Sequence, residues 1–398
     1  MLTSELLAGL QSDQGERALE AAAAALVIEP DFLRAAQRLS PPFAEPLARA
    51  AVEQVQLRRR AARKFPEANR LFFTREGLEQ ATPEAVARNR AARFAASPLV
   101  FDFGAGLGGD ALALAKHSQV MAVDRHRLRL QVLRANAERL GLADRLGIVE
   151  GDLRRLPLRF PPGAGAFCDP GRRAGGRRLR GVQAAEPPLH VVLEWLPSLA
   201  GLAVKVSPAV RLDEVRHLAC EVEFVSLEGE LKEATLWFGA LRRGVRRATV
   251  LPDGATLEGD VEPYLPTGPV REYLLEPDPA ILRAGLVLRL GASLGAQPIA
   301  EDISFLSLDE ACLSPFARTY RVLESAPFRL KSLQAMLDER DIGRLTVKRR
   351  GSAVEPGEIA RKLRLRGEGE ALVILTRHGG RQTMILAERV RDETSRKP

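Results

Sequence analysis

Residues 99–127, LVFDFGAGLGGDALALAKHSQVMAVDRHR, constrain the fold of this chain more than any other segment. An apolar run at 99–103 leads into Gly104, Gly106 and Gly109 in the spacing GxGxxG, and an amphipathic stretch and a second apolar run follow. This order predicts a strand, a tight turn, a helix and a parallel strand, with a ligand crevice at the turn. The same glycine spacing occurs in dinucleotide sites, in other nucleoside sites and in simple strand-to-helix turns, so it leaves all three open.

The glycine segment opens a longer run in which short apolar segments alternate with amphipathic ones. Seven strands separated mostly by helices predict a three-layer α/β fold with a mostly parallel sheet. The last two strands are joined by the short turn Glu228-Gly229-Glu230, which predicts a hairpin at the sheet edge with one antiparallel strand. The predicted strands are 99–103, 119–123, 146–149, 164–169, 202–206, 220–226 and 233–239, and the predicted helices are 108–117, 127–140, 188–197 and 211–218.

Composition and periodicity divide the chain into five segments. The first is rich in Ala, Leu, Glu and Arg at helical spacing and predicts a helical N-terminal domain, which the α/β core follows. The third is rich in Pro and Gly and predicts a connecting module with one helix at 278–290. The fourth predicts a small α+β domain in the order β-α-β-α-β-β, followed by a charged tail. The predicted boundaries are 1–95, 96–249, 250–315, 316–392 and 393–398.

Charge and composition narrow the partners. The 398-residue chain carries a formal net charge of +8 and has a pI of about 9.8, which favours a polyanionic partner, although arginine richness is also typical of a GC-rich genome. Cys168, Cys220 and Cys312 are widely spaced and the five histidines are scattered, which fits a reducing cytoplasm and indicates no metal site. No apolar run is long enough to span a bilayer, and no export signal is recognisable. We therefore expect a cytoplasmic protein without a membrane or metal partner.

Three acidic residues around the glycine segment distinguish the classes of nucleoside site. Asp102 lies two residues before Gly104, where its charge would repel a pyrophosphate but attract a cationic amino group and sulfonium. Asp124 ends the next predicted strand, where a carboxylate can accept hydrogen bonds from both ribose hydroxyls in either class of site. Asp152 follows the third strand, where it can accept a hydrogen bond from an adenine amino group. The set favours a cationic nucleoside over a dinucleotide.

The pattern Asp102-x-Gly-x-Gly-x-Gly, with Asp124 and Gly151-Asp152, resembles motifs one to three of class I S-adenosylmethionine-dependent methyltransferases. The closing hairpin also resembles the reversed seventh strand of that fold. The resemblance implies a Rossmann-like, seven-stranded methyltransferase core that uses S-adenosyl-L-methionine as methyl donor, with Gly108 rather than Gly109 as the third functional glycine. The predicted donor contacts are Asp102, Gly104, Ala105, Gly106, Gly108, Asp124, Arg125, Asp152 and Leu153.

A narrower resemblance covers nearly the whole chain. Five segments are similar to the bacterial methyltransferases with a C-terminal THUMP-like domain. THUMP domains themselves belong to RNA-modifying enzymes, so this resemblance implies RNA as the methyl acceptor, with a base in tRNA or rRNA as the expected target. The segments are ARNRAARFA at 87–95, CDPGRR at 168–173, GELKEATLWFG at 229–239, YLLEPDPAILRAGLV at 273–287 and DIGRLTVKRRG at 341–351.

The fourth predicted strand ends in Cys168-Asp169-Pro170, beside the glycine turn. In amino-group methyltransferases this place holds Asn or Asp, two prolines and an aromatic residue, which orient the target nitrogen and stack on the base. Asp169 and Pro170 match that pattern, and we predict that they position the target atom. Gly171 and Arg172 depart from it, which leaves specificity for an exocyclic amine open. A simple strand end is the alternative interpretation.

Two residues near this motif carry further alternatives. Lys205, at the end of the fifth strand, is predicted either to pair with Asp169 or a phosphate, or to be an ordinary edge lysine. Cys168 could attack a base covalently, as in pyrimidine C5-methyltransferases, but its place at the end of an apolar strand favours a small buried residue.

Basic residues cluster in three regions: a helix-like stretch at 57–64, a glycine-interleaved arginine loop after Pro170, and the C-terminal domain. Because aromatic residues are sparse nearby, the pattern favours contacts to the phosphates of folded RNA, with a solvated charged surface as the alternative. The predicted RNA contacts are Arg172, Arg173, Arg177, Arg178, Lys348, Arg349 and Arg350.

The sequence therefore favours an S-adenosylmethionine-dependent RNA methyltransferase. Two other hypotheses stay open. The first is a methyltransferase that acts on a protein or a small molecule, with the basic residues as solvated surface. The second is a non-catalytic RNA-binding protein that keeps a relict of the α/β core.

Overall fold

The computed structural model of the chain describes residues 2–154, 159–171, 173–174, 177–178, 185–301, 303–352 and 355–390. The Cα positions form two compact units, Met1–Glu221 with Glu233–Arg243 and Val222–Lys232 with Gly244–Pro398. The N-terminal helices and most strands of the α/β core thus belong to one unit.

Helices form the N-terminal part of the first unit, as the composition predicts. They are α1 (Ser4–Leu10), α2 (Asp13–Ile28), α3 (Phe32–Arg38), α4 (Glu45–Ala61), α5 (Arg75–Gln80) and α6 (Glu84–Ala92). Side chains cap several of them, as when Thr74 accepts a hydrogen bond from the N–H of Gly77 at the start of α5. The aliphatic faces of these helices share a core cluster with Leu107, Val132 and Ala135. Because those three residues come from the α/β core, the helices pack directly on it.

The glycine segment folds into the predicted strand, turn, helix and strand, and the predicted alternation continues after it. The elements are β1 (Leu99–Phe103), α7 (Gly109–Ala115), β2 (Gln119–Asp124), α8 (Arg127–Arg139), β3 (Leu146–Glu150), β4 (Gly165–Cys168), β5 (Arg173–Ala174), β6 (Arg177–Arg178), α9 (Leu189–Leu193), β7 (Gly201–Val206), α10 (Leu212–Val215), β8 (Glu221–Leu227) and β9 (Glu230–Gly239). In the first unit the strands lie in the order β3-β2-β1-β4-β7-β9, all parallel except β9, which runs antiparallel to β7. This arrangement confirms the predicted Rossmann-like α/β core with one reversed strand.

The prediction that β8 lies at a sheet edge is wrong. The turn after β8 has positive φ at Glu228 and Gly229, as in a two-residue hairpin turn. In the second unit, however, β8 pairs in parallel with β10 (Arg246–Leu251), and β10 pairs antiparallel with β11 (Ala255–Gly259). The sequence does not predict β10 because Arg247 interrupts its apolar run. In the folded chain Arg247 is buried and forms an ion pair with Glu258.

A second sheet organises the rest of the second unit. Its elements are β12 (Tyr273–Pro277), α11 (Pro279–Ala284), α12 (Val287–Leu294), β13 (Gln297–Ala300), β14 (Ile303–Leu308), β15 (Ala317–Pro327), α13 (Leu330–Glu339), β16 (Ile342–Arg349), α14 (Pro356–Lys362), β17 (Gly369–His378) and β18 (Arg381–Arg389). The strand order is β13-β14-β12-β15-β18-β17-β16. The last six elements confirm the predicted order β-α-β-α-β-β, and strands from residues 250–315 extend the same sheet. The predicted helix at 278–290 is two helices, because Gly285 adopts a left-handed conformation and ends α11.

Among the described helices, none combines the length and the apolar character that crossing a bilayer requires.

Candidate functional site

A cavity of about 600 Å³ lies in the first unit at the carboxyl ends of β1, β2 and β4. This is the edge of a parallel sheet at which ligands are expected to bind. Most of the predicted donor and target contacts line it. Asp102 and Gly108 are buried and do not contribute to its wall. The predicted residues in the wall are Gly104, Ala105, Gly106, Asp124, Arg125, Asp152, Leu153, Asp169 and Pro170.

The turn between β1 and α7 requires glycine at specific positions. Gly104, Gly106 and Gly108 all have positive φ, where a side chain would be strained. A Cβ on Gly104 would lie 2.8 Å from the carbonyl oxygen of Asp169, so the turn and the end of β4 approach too closely for any other residue. Gly108 makes the turn into α7, whereas Gly109 has ordinary helical geometry and lines the cavity. The two glycines therefore have separate tasks.

Asp124 organises the turn while facing the cavity. One carboxylate oxygen accepts a hydrogen bond from the N–H of Gly106 at 2.9 Å, and the other accepts one from the N–H of His126 at 2.9 Å. Each oxygen keeps a second lone pair. The carboxylate is thus oriented for two ligand hydroxyls.

Asp102 is a buried carboxylate without a hydrogen-bond partner among the described residues. It is 1% exposed, and neither oxygen has a hydrogen-bond partner within the described part of the chain. Burial is the main cause that raises its pKa, to about 7, and the nearby carboxylate of Asp169 contributes. An unpartnered carboxylate behind the glycine turn fits a ligand that brings positive charge to the cavity.

Asp152 lies in the wall within a small charged cluster. Arg154 donates to both of its oxygens, from Nε to Oδ1 at 3.0 Å and from Nη2 to Oδ2 at 2.6 Å. The Nη1 atom of Arg154 is also 3.1 Å from the carboxylate of Glu186, which lines the cavity as well. No motif in the sequence marked Arg154 or Glu186, because the segments they belong to meet only in the folded chain.

The end of β4 carries the predicted target-positioning pair. Lys205 donates from Nζ to Oδ2 of Asp169 at 2.8 Å and to Oγ1 of Thr82 at 3.1 Å. Its side chain is only 8% exposed. The predicted pairing of Lys205 with Asp169 is confirmed, and Lys205 is not an ordinary edge lysine. Pro170 is buried in the cavity wall beside them.

Cys168 lies outside the cavity wall and is fully buried at the end of β4. Burial, with the charges of Asp169 and Asp102, raises the pKa of its thiol well above the ordinary value. Since the nucleophile of a covalent mechanism is the thiolate, this environment gives the covalent hypothesis no support.

The N-terminal helices supply one wall of the cavity, which the sequence did not indicate. Helix α5 and the loop after it contribute this wall. Glu76 of α5 pairs with Arg129 of α8 at 3.2 Å. Lys64, from the basic stretch 57–64, donates to the carbonyl oxygens of Leu78 and Ala81 at 2.8 and 2.9 Å. These contacts hold the wall in place at the end of α5.

Arg58, from the same basic stretch, also has an internal role. Its guanidinium lies 5.4 Å from the centre of the Phe72 ring, and its Nε donates to the carbonyl oxygen of Leu71 at 2.8 Å. Burial lowers its pKa to about 10. Together with Lys64, it shows that this stretch stabilises the fold through at least two of its cations.

The described residues that line the cavity carry an excess of negative charge. Among them are seven carboxylates and four Lys or Arg side chains. This balance favours a cationic ligand and opposes a pyrophosphate. No group of three or more His, Cys, Asp or Glu side chains in the described ranges could hold a metal ion. The carboxylates belong to Glu76, Glu79, Asp110, Asp124, Asp152, Asp169 and Glu186, and the cations to Arg125, Arg129, Arg154 and Lys205.

The predicted RNA contacts after β4 are described in part. Arg172 lies outside the described residues. The backbones of β5 and β6, which carry Arg173, Arg177 and Arg178, form a two-stranded antiparallel pair.

The predicted RNA contacts in the second unit form ion pairs. Lys348 donates to Glu276 and, at 2.9 Å, to the hydroxyl of Tyr320. Arg350 is 3.7 Å from Glu276, and Arg349 pairs with Glu355. Other cations of the same fold are exposed and make no ion pair with described residues, among them Lys331, Arg344, Lys362, Arg364 and Arg366.

Comparison with known proteins gives matches over nearly the whole chain. A family described as THUMP domain-like matches residues 317–389, and a domain of unknown function matches residues 3–61. Two uncharacterised S-adenosylmethionine-dependent methyltransferases of Mycobacterium tuberculosis, from strains CDC 1551 / Oshkosh and ATCC 25618 / H37Rv, are each 35% identical over 342 residues, which is 82% of this chain and 92% of theirs. A crystal structure from Porphyromonas gingivalis W83, assigned as a methyltransferase, has a TM-score of 0.75 and 20% identity over 94% of this chain and 99% of its own.

Proposed function

Because this chain belongs to the family of S-adenosylmethionine-dependent methyltransferases with a C-terminal THUMP-like domain, we propose that it transfers the methyl group to RNA. The donor is S-adenosylmethionine, whose sulfonium supplies an electrophilic methyl group. Membership of this family also contradicts the hypothesis of a non-catalytic RNA-binding protein.

The cavity in the first unit fits this donor. The unpartnered carboxylate of Asp102 and the excess of wall carboxylates suit its sulfonium and amino group. Gly104 and Gly106 allow close approach of the backbone, and Asp124 presents oxygens to the ribose hydroxyls. We propose that Asp152 binds the adenine amino group and that Asp169 and Pro170 orient the acceptor, while the wall from α5 excludes water.

The observation that carries the RNA proposal is a cationic surface on the THUMP-like fold whose side chains make no ion pair with the described residues. Gln334 of α13 exchanges two hydrogen bonds with the backbone of Arg364, at 2.9 and 2.8 Å, so α13 and the segment after α14 are adjacent. Lys331 is three residues before Gln334 and therefore on the same helix face. Arg364 and Arg366 are exposed beside it. Exposed cations without carboxylate partners are free to bind phosphates.

Incubation of the full chain with methyl-labelled S-adenosylmethionine and separate extracts of total RNA, protein and metabolites tests this function. We expect label in the RNA extract, with tRNA and rRNA fractions separated afterwards by size. Label in protein or metabolites alone would contradict the proposal and support the alternative substrate class.

The double substitution Arg364→Glu and Arg366→Glu tests the cationic surface. We expect RNA affinity at low salt to fall by about tenfold, and the slope of log affinity against log salt to become shallower by ~2, because each lost phosphate contact removes about one released counterion. Fluorescence anisotropy with labelled RNA measures both quantities.

The charge-matched control is Arg17→Glu with Arg38→Glu, two exposed arginines of the N-terminal helices that make no ion pair with the described residues. Donor affinity should be unchanged in both double variants. If the control lost as much RNA affinity, the loss would be due to net charge alone. That result would contradict a specific RNA-binding surface on the THUMP-like fold.

A further inference from the structure

We infer that the methyl acceptor is a hydroxyl oxygen, the 2′-hydroxyl of an RNA ribose, which Asp169 and Lys205 hold between them. This inference rests on the proposed RNA function and specifies its acceptor atom. It departs from the base target that the sequence motif implies.

Asp169 and Lys205 each keep a hydrogen-bonding group that no described residue uses. Lys205 uses one N–H on Oδ2 of Asp169 and one on Oγ1 of Thr82. Its third N–H has no partner among the described residues, and neither has Oδ1 of Asp169. Both side chains line the cavity. The site therefore presents one donor and one acceptor next to each other.

A hydroxyl group matches this pair, and an exocyclic amino group does not. A hydroxyl oxygen donates one hydrogen bond and accepts another at the same atom. It can therefore donate to Asp169 while accepting from Lys205. An exocyclic amino group of a base donates two hydrogen bonds through a planar nitrogen, so it leaves the lysine donor unpaired in a nearly dry site.

The charge that develops during methyl transfer bears on the choice between an amine and a hydroxyl acceptor, because Lys205 interacts differently with each. An amine nitrogen becomes positive as it bonds to the methyl carbon, a charge that the carboxylate of Asp169 favours and the ammonium of Lys205 disfavours. A hydroxyl oxygen that loses its proton gains negative character, which the same ammonium stabilises. Lys205 is only 8% exposed, so water screens this interaction weakly.

Among the described residues, the cavity wall also lacks the large aromatic side chains on which a flipped base often stacks. It contains no Phe, Tyr or Trp among the described residues. The sequence from residue 168 to residue 194 contains none either. Of the groups on which a flipped base can stack, the described part of the wall therefore offers only His126 and the guanidinium groups of Arg125, Arg129 and Arg154.

The reaction balances with groups that are present or supplied by the donor. The hydroxyl oxygen attacks the methyl carbon of S-adenosylmethionine, the oxygen–carbon bond forms, and the sulfur–carbon bond breaks with its electron pair remaining on sulfur. The products are a 2′-O-methyl ribose and neutral S-adenosylhomocysteine. The hydroxyl proton passes to Oδ1 of Asp169 and then to water. Lys205 keeps its protons throughout.

The position of the label within the RNA product tests the inference. The full chain is incubated with trideuteromethyl S-adenosylmethionine and total RNA, and the RNA is digested to nucleosides for fragmentation by mass spectrometry. We expect the label on the sugar fragment. Label on the base fragment would overturn the hydroxyl inference while leaving the RNA function intact. Absence of label from RNA would overturn the proposed function, and this inference with it.

Substitution of Lys205 tests the roles of the two residues. Lys205→Met should lower the single-turnover rate by ~100-fold, as loss of a donor to a developing negative charge does. Donor affinity measured by calorimetry should stay within about twofold, which also reports that the variant is folded. The matched control Lys116→Met removes an exposed lysine and should keep the full rate. An unchanged or faster rate in Lys205→Met would overturn the role of the lysine.

Thr82 is a positioning residue in this arrangement, because it acts through Lys205. Thr82→Val removes the acceptor for one N–H of Lys205 at nearly constant shape and should lower kcat by ~10-fold with little change in the KM for RNA. Thr82→Ser should restore the rate. Equal loss in the valine and serine variants would contradict the hydrogen-bonding role and indicate a packing role.

Discussion

The substitution Asp124→Ala is expected to weaken binding of S-adenosylmethionine by ~100-fold or more, which would be the largest effect on the donor site. The carboxylate both accepts hydrogen bonds from the ligand ribose and holds the N–H groups of Gly106 and His126. Two hydrogen bonds to a charged acceptor contribute roughly 3 kcal/mol or more, and their loss corresponds to at least that fold-change. Isothermal titration calorimetry with S-adenosylhomocysteine and S-adenosylmethionine measures it.

A matched control for this prediction is Asp144→Ala, an exposed aspartate outside the cavity wall. Its donor affinity should equal that of the unchanged chain. RNA affinity should be retained in both variants, because the cations proposed to bind phosphate lie in the second unit. A dissociation constant within about threefold of the unchanged chain for Asp124→Ala would remove Asp124 from the donor site.

The substitution Asp102→Asn is expected to stabilise the donor-free protein progressively as the pH rises. The pKa of Asp102 is raised from its ordinary 3.8 to about 7 in the folded chain. A carboxyl with a raised folded pKa stabilises the fold at low pH and loses that contribution as pH rises through the folded value. Between pH 5 and pH 8 the stability of the asparagine variant should therefore gain ~3 kcal/mol relative to the unchanged chain.

Urea unfolding of both proteins at pH 5, 6, 7 and 8 measures this difference. In the control Asp144→Asn, at an exposed aspartate, the free energy of unfolding should differ from that of the unchanged chain by the same amount at every pH, so that the two curves of stability against pH are parallel. Parallel curves for Asp102→Asn would show that Asp102 does not titrate near pH 7. Donor affinity should depend on pH in the opposite direction to stability. The unchanged chain should bind S-adenosylmethionine more tightly at pH 8 than at pH 6, because a cationic ligand favours the ionised carboxylate. The Asp102→Asn variant should lose this dependence.

Much of the first unit's fold follows from local sequence patterns. Apolar runs with Gly104, Gly106 and Gly108 after the first of them predicted the parallel strands and the turn, because few residue types can adopt these backbone conformations. The strand β10 escaped prediction because Arg247, which pairs with Glu258 on the neighbouring strand β11, interrupts its apolar pattern. The single helix predicted at 278–290 missed the break at Gly285, whose left-handed conformation could be suspected but not established from sequence.

The candidate site, like the fold, was predicted from the sequence only in part. Asp102, Asp124 and Asp152 could be proposed because each follows or interrupts a strand at one sheet edge. The pairing of Lys205 with Asp169 could be proposed for the same reason, since neighbouring parallel strands bring their carboxyl ends together. Thr82, Glu76 and the other contributors from the N-terminal helices carried no motif.

What the sequence determined by itself was the class of fold, from backbone conformations and charges within short segments, and the methyl donor and the family, from the resemblance of its motifs. What only the tertiary structure decided was how those charges are used. Lys64, in a stretch that looked like an RNA contact, holds a cavity wall. Lys205 lies against Asp169, and our proposal of a hydroxyl acceptor rests on this contact. The physical reason is that the free energy of a charge depends on its burial and its partners, and partners distant in sequence are set by the packing of the whole unit.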